Sequence, residues 1–174
     1  MKKFFVLFLV LIFALPLFSV TDSLKKFDIP SWLSLEEATK CNMDKDVVEP
    51  LYLSFVSSNV SMFEKARAEY LYSRYLVDRG EKEEAKKHLE EEKKYMDLMD
   101  DKDEVLSLMA KIDYTSAKTY ISRDLSSGLE NSNLTKEAVK KYPEEAYFII
   151  TDGWRLIYTP QIAGGSNKNA INKV

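Results

Sequence analysis

The sequence is poor in the residues that most catalytic and metal sites need. It has one cysteine, Cys41, and one histidine, His88. One cysteine excludes an intramolecular disulfide and a cysteine-cluster zinc site, and one histidine excludes the paired histidines of an HExxH motif. Only five glycines occur in 174 residues, and neither GxGxxG nor GxxxxGK is present. We therefore predict a chain without cofactor or metal, and one that is not an enzyme.

The sequence also lacks a strong excess of either charge. It contains 25 basic and 28 acidic side chains, for a formal net charge of −3. This balance excludes a uniformly basic nucleic-acid binder, so we predict no nucleic acid among the partners. Hydrophobic residues make up 45% and charged residues 30% of the chain. That composition and the length fit a single globular domain.

The one long hydrophobic run lies at the N-terminus. Two lysines precede fifteen residues, from Phe4 to Phe18, that carry no polar side chain. A charged start and an apolar run of this length are typical of a secretory signal peptide, and the run is too short to span a bilayer core of about 30 Å. We predict cleavage of residues 1–20 and a soluble periplasmic or extracellular protein. An uncleaved membrane anchor is the alternative.

The rest of the sequence predicts an all-α fold, because strand signals are weak. Two capping boxes, Ser34–Glu37 and Ser61–Glu64, open helices, and Pro50 predicts the first turn of another. Gly80 predicts a helix end, and Gly128 with several Ser and Asn predicts a loop. The predicted helices cover residues 34–42, 51–58, 62–79, 81–99, 102–123, 135–142 and 144–158, with a last one beginning after residue 165. The domain division we predict is a signal peptide over 1–20, an N-terminal extended segment over 21–33 and a helical domain over 34–174.

Two neighbouring helices differ in their apolar pattern. Residues 62–79 are apolar on nearly every side, whereas residues 81–99 are apolar on one stripe. That stripe consists of Ala85, His88, Leu89, Glu92, Tyr95, Met96 and Met99. An inner helix joined by one glycine turn to an outer helix predicts stacked antiparallel helical hairpins.

The spacing of small residues resembles the tetratricopeptide repeat, a helix–turn–helix unit. Gly80 and Ala85 match its turn glycine and the first small residue of its second helix, and Ser73 matches its small residue at a close helix approach. Glu69 departs from the family, which prefers a large apolar residue there. Near the C-terminus the pattern recurs at Ala138, Pro143, Gly153, Gly165 and Ala170. The resemblance implies a right-handed superhelix of stacked hairpins with a concave groove.

A second resemblance concerns the segment TPQIAGGSNKNA. It is similar to exported bacterial repeat proteins, among them the periplasmic partners of TRAP transporters, which implies a transporter component as a possible partner. No cysteine follows the apolar run, so a bacterial lipid anchor is not indicated.

The tetratricopeptide resemblance also implies which residues line the groove. The first-helix positions carried onto this chain are Arg67, Tyr70, Arg74, Val77 and Asp78, then Lys111, Tyr114, Lys118 and Ile121, then Tyr147, Ile150, Trp154, Ile157 and Tyr158. From these we predict a protein-binding site of Arg67, Tyr70, Arg74, Lys111, Tyr114, Lys118, Tyr147, Trp154 and Tyr158, because Arg and aromatic side chains are common anchors of protein recognition. The alternative is that Tyr147 and Trp154 pack the interior of the last hairpin.

The leading hypothesis is a non-enzymatic scaffold that binds another exported or envelope protein. The alternative is a solute-transport accessory that binds a small organic anion in a closed pocket. A carboxylate-based hydrolase is a third possibility. However, acids are expected mostly on outer helix faces, and His88 and Cys41 are expected to pack rather than react.

The C-terminal hairpin suggests a further contact. Its second helix is short, so the apolar side of residues 144–158 would lack its usual cover. That side consists of Ile149, Ile150, Leu156 and Ile157. We predict that a second copy or a partner chain completes this edge. Folding back of the short segment 170–174 is the alternative.

Overall fold

The computed structural model describes residues 29–100, 102–159, 165–166, 169 and 171, and the predicted signal peptide lies outside them. Every regular element among these residues is a helix, which confirms the prediction of an all-α fold. The helices are α1 (Ile29–Lys40), α2 (Lys45–Ser57), α3 (Met62–Asp78), α4 (Lys82–Asp97), α5 (Glu104–Ser122), α6 (Leu125–Lys141) and α7 (Ala146–Tyr158). Within the described ranges, no helix combines the length and apolar character needed to cross a bilayer.

Each helix packs against the next one along the chain, and α3 is the centre of the arrangement. It contacts α2 and α4 on either side in sequence, and it also contacts α1 and α5. One apolar cluster contains residues of all five helices from α1 through α5 and includes Leu35, Val48 and Tyr75. A second cluster joins α3, α5 and α7 through Phe63, Ile112 and Phe148. These contacts surround α3 on several sides, as its apolar pattern predicts.

The two ends of α3 follow from local sequence chemistry. The Ser61 hydroxyl accepts a hydrogen bond from the Glu64 N–H at 3.2 Å, and the Glu64 carboxylate accepts one from the Ser61 N–H at 2.8 Å. The predicted capping box is therefore confirmed. At the other end Gly80 has a φ of +83° and its N–H donates to the Val77 carbonyl at 2.9 Å. A glycine in the left-handed region ends the helix there, as predicted.

The first two helices begin earlier than the sequence predicts. α1 begins at Ile29, so Ser34 lies inside the helix and the predicted capping box there is wrong. Residues 29–33 are therefore helical rather than extended. Pro30 is the second residue of α1, where a missing backbone N–H costs no helical hydrogen bond. α2 begins at Lys45 and passes through Pro50, because burial of residues on both sides of the proline outweighs the hydrogen bond it removes. The buried side chains of α2 are Val48, Tyr52 and Phe55.

The loop predicted around Gly128 is also wrong, since α6 is one continuous helix. Asp124 caps it by accepting a hydrogen bond from a backbone N–H of the first turn. A Cβ on Gly128 would stand 3.4 Å from Thr119 Cγ2, which is ordinary van der Waals contact, so Gly128 lies where α6 meets α5. Asn131 faces the same neighbour and donates to the Ile112 carbonyl at 2.7 Å. Of the polar residues that indicated a loop, Asn131 bonds to α5, and Ser126 and Ser127 bond to the capping residue Asp124.

Candidate functional site

Arg67, predicted to line the groove, is buried instead. Its guanidinium forms a salt bridge with Asp113 of α5 and lies 3.7 Å from the Glu36 carboxylate of α1. Its Cζ lies 5.2 Å from the centroid of the Tyr147 ring of α7. This corrects the prediction for Arg67, because its side chain connects the interior of four helices rather than an open surface. Burial disfavours the charge, but the Asp113 carboxylate together with Tyr147, Glu36 and Tyr70 outweighs burial, so the pKa of Arg67 is raised above its ordinary value.

Tyr147 belongs to the same interior contact. Its hydroxyl donates to Asp113 Oδ1 at 2.6 Å, so Asp113 accepts from both Arg67 and Tyr147. Burial and the adjacent Asp113 carboxylate raise the pKa of Tyr147 well above its ordinary value. The tyrosine therefore stays neutral and serves as a hydrogen-bond donor. Tyr147 thus lies inside the fold, but its partners are on α3 and α5, so neither the groove prediction nor packing within the last hairpin describes its contacts.

A second interior contact joins α2, α3 and α4. The Tyr52 hydroxyl donates to Glu69 Oε1 at 2.8 Å, and His88 Nδ1 lies 2.7 Å from Glu69 Oε2. The rings of Tyr52 and Tyr72 stack with their centroids 4.2 Å apart. Burial, followed by the Glu69 charge, raises the pKa of Tyr52. An acid can occupy the position of Glu69, where the repeat family prefers a large apolar residue, because Glu69 has a polar partner on each neighbouring helix. These partners are Tyr52 on α2 and His88 on α4.

Glu92 lies near both contacts and completes what we call the buried polar centre. The five residues of this centre are Glu36, Arg67, Glu69, Glu92 and Asp113. All five are at most 9% exposed, so these four carboxyl groups are exceptions to the prediction that acids lie mostly on outer faces. The sequence did place Glu92 on the apolar stripe of its helix, but it gave no sign that Glu36 and Asp113 would be buried. No group of three metal-ligating side chains occurs among the described residues.

Tyr70 and Arg74 lie on the α3 side that faces α5. The Arg74 guanidinium lies between two rings, 5.8 Å from the Tyr70 centroid and 4.7 Å from that of Tyr120. Its Nη1 donates to the Tyr70 hydroxyl at 3.1 Å. The Tyr120 hydroxyl in turn donates to Asp78 Oδ1 at 2.6 Å. The structure therefore brings Tyr70 and Arg74 together, with a tyrosine of α5 that the sequence analysis missed.

The predicted residues of α5 do not form one open surface. Tyr114 is half-buried against the first apolar cluster, and Ile121 is buried within it. Lys118 is half-buried. Lys111 lines a cavity of about 220 Å³ between α4 and α5, together with Lys93, Met96, Asp97, Met99, Ser107 and Ala110. This volume is below the roughly 300–1,000 Å³ of typical ligand pockets.

The outer side of α7 carries the clearest exposed apolar surface, which we call the apolar end face. Its four residues are Ile150, Trp154, Ile157 and Tyr158. Trp154 is 54% exposed and Tyr158 is 77% exposed, and their rings stack with centroids 5.9 Å apart. Trp154 is thus not packed inside the last hairpin.

The rest of α7 is buried to different degrees. Phe148 and Leu156 on its other side are buried. The predicted exposure of Leu156 is therefore wrong, and Ile149 is half-buried. Most of segment 170–174, whose folding back is the alternative to a partner at this edge, lies outside the described residues. Cys41, expected to be buried, is exposed.

No family model matches the chain, and neither a curated protein nor a solved structure matches it. The function therefore has to be inferred from the geometry of the chain's own residues.

Proposed function

We propose that this chain is an exported, non-enzymatic helical-repeat scaffold that binds another exported or envelope protein. The observation that carries the proposal is the apolar end face of α7. Stacked Trp154 and Tyr158 side chains, flanked by two isoleucines, form an aromatic surface of the kind that anchors protein partners. The leader-like residues 1–20 support export.

The fold proposed for this scaffold is a tetratricopeptide-like right-handed superhelix. The glycine turn at Gly80 supports it, as do the contacts of α3 with both α1 and α5. In such a stack the first helix of each hairpin packs on the first helix of the next.

A comparison of equivalent repeat positions on α3 and α7 suggests what occupies the apolar end face. On α3, the repeat positions of Arg74 and Asp78 are contacted by Tyr120 of the next first helix, α5. The corresponding positions of α7 are those of Trp154 and Tyr158, which are exposed. We therefore propose that a partner's α-helix packs here as α5 packs on α3.

The test is capture of the partner from envelope extract by the mature chain, with photo-crosslinking and mass spectrometry. We expect Trp154→Ala to abolish capture while the helical circular dichroism stays unchanged. The matched control is Leu125→Ala on α6, which also removes an exposed apolar side chain, 84% exposed, but lies outside the end face. Equal capture by wild type and Trp154→Ala would overturn the proposal.

Sedimentation of the mature chain alone distinguishes a second copy from a different partner. A dimer that dissociates on Ile157→Lys would identify the occupant as another copy of this chain. A monomer that captures one protein through Trp154 would identify a separate partner.

A further inference from the structure

Glu92 is a buried acid that has no hydrogen-bond partner among the described residues. It lies on the inner side of α4 and is 1% exposed. Neither of its carboxyl oxygens has a hydrogen-bond partner in the described part of the chain. An ionised carboxylate in such a place costs many kcal/mol, and in practice a group there takes up a proton instead.

The charges that face Glu92 do not offset a negative charge on it. α4 packs against α3 and α5. α3 contributes Arg67 and Glu69, and α5 contributes Asp113. Arg67 is already held by Asp113 and approached by Glu36, and His88 on the turn before Glu92 is held by Glu69. The buried polar centre thus has one guanidinium for four carboxyl groups.

We propose that the folded chain holds a proton on Glu92 at neutral pH, and that this proton makes the fold more stable in mild acid than in mild alkali. This behaviour is opposite to that of most paired carboxylates, which lose stabilising contacts when they are protonated. This proton would make the chain sensitive to pH at the place where α4 packs against α3 and α5.

The direction follows from proton linkage. Burial, with Asp113 and Glu69 nearby, raises the pKa of Glu92 well above the value of 4.5 that it would have in the unfolded chain. Between these two pKa values the folded chain binds a proton that the unfolded chain does not, so stability falls as pH rises. The stabilisation is complete below the pKa that Glu92 has in the unfolded chain. It is lost as pH rises through the pKa that Glu92 has in the folded chain. Each unit of separation changes the folding equilibrium about tenfold.

The test compares the thermal unfolding of wild type, Glu92→Gln and Glu90→Gln between about pH 5 and about pH 8.5. Glu92→Gln has the shape of the neutral acid but cannot ionise. Glu90→Gln is the matched control, since Glu90 is on the same helix but exposed. Relative to Glu92→Gln, the folding equilibrium of wild type should weaken at least about tenfold across this range. Glu90→Gln should behave as wild type does. Parallel profiles for wild type and Glu92→Gln would overturn the proposal.

A spectroscopic measurement keeps the proposal testable even if Glu92→Gln does not fold. Infrared difference spectra of the wild-type chain should show the C=O stretch of a protonated carboxyl group at neutral pH. Glu92→Met removes the titrating group with similar side-chain length, and this band should be absent from it. No protonated carboxyl band in the wild-type chain at neutral pH would overturn the proposal.

Discussion

The outer face of α4 and the buried polar centre use charge in opposite ways. On the outer face, Lys86 pairs with Glu83 at 2.7 Å and Lys87 pairs with Glu84 at 2.6 Å, one helical turn apart. These pairs are exposed, and water screens them. Their number therefore says little about stability, although they keep a charged surface toward solvent.

The buried polar centre has fewer groups, but each depends on the others. Arg67 has Asp113 and Glu36 as neighbours, and Asp113 also accepts from Tyr147. Removing one member of a buried ionic contact leaves the others charged and without water. The comparison teaches that the surroundings of a charge, rather than its presence, decide what its loss costs.

The largest effect expected is that of Arg67→Met. It removes the guanidinium from the centre and leaves the Asp113 and Glu36 carboxyl groups without it. Loss of one partner of a buried ion pair costs about 3–5 kcal/mol, and urea unfolding measures this. The control on the outer face is Lys87→Met, which should leave the urea midpoint unchanged within error. Equal midpoints for the two variants would break the comparison.

An intermediate effect is expected for Tyr52→Phe. The change removes the hydroxyl that donates to Glu69 and leaves that carboxylate oxygen buried without this donor. An unsatisfied buried acceptor costs about 1–3 kcal/mol, which a urea titration resolves. Tyr120→Phe is the matched control, because it removes a tyrosine hydrogen bond to Asp78 at an exposed position. A larger loss in the control than in Tyr52→Phe would contradict the prediction.

The smallest effect concerns the outer pairs themselves. Replacing Lys86 and Lys87 by alanine together should lower the urea midpoint slightly at low salt. At about 1 M salt the Debye length shortens to about 3 Å, so the difference from wild type should disappear. The loss in Arg67→Met should persist at the same salt concentration, because buried pairs are screened much less. If salt abolished both losses of stability, the buried polar centre would have to be accessible to solvent, and the comparison would be wrong.

The sequence predicted some features of the fold that depend on neighbours in the chain, although the capping box at Ser34 was not one of them. The capping box at Ser61 and the glycine turn at Gly80 need only a few adjacent residues, and both are confirmed. The continuity of α6 was not predictable in this way. Gly128 looks like a loop residue until Thr119 of α5 is placed against it. Likewise, the passage of α2 through Pro50 depends on the burial of residues around it.

The candidate site divides in the same manner. Helical spacing put Tyr147 and Trp154 on one side of a single helix, yet Tyr147 reaches a carboxylate of α5 and Trp154 is exposed. Which of the two would be covered depends on where α5 lies, and the pattern of one helix contains no such information. The burial of Arg67 was not predictable for the same reason, because its partners Glu36 and Asp113 come from helices before and after its own.

The hydroxyl of Tyr147 has a consequence for the order of assembly. A stack of repeats can gain or lose its end units stepwise, because each unit contacts only its neighbours. Here Asp113 takes one hydrogen bond from α3 and another from α7, and Arg67 also reaches back toward α1. A chain emerging N-terminus first would have to wait for Tyr147 before this set of bonds closed. We therefore expect helices α1 to α7 to fold together, as one cooperative unit rather than hairpin by hairpin.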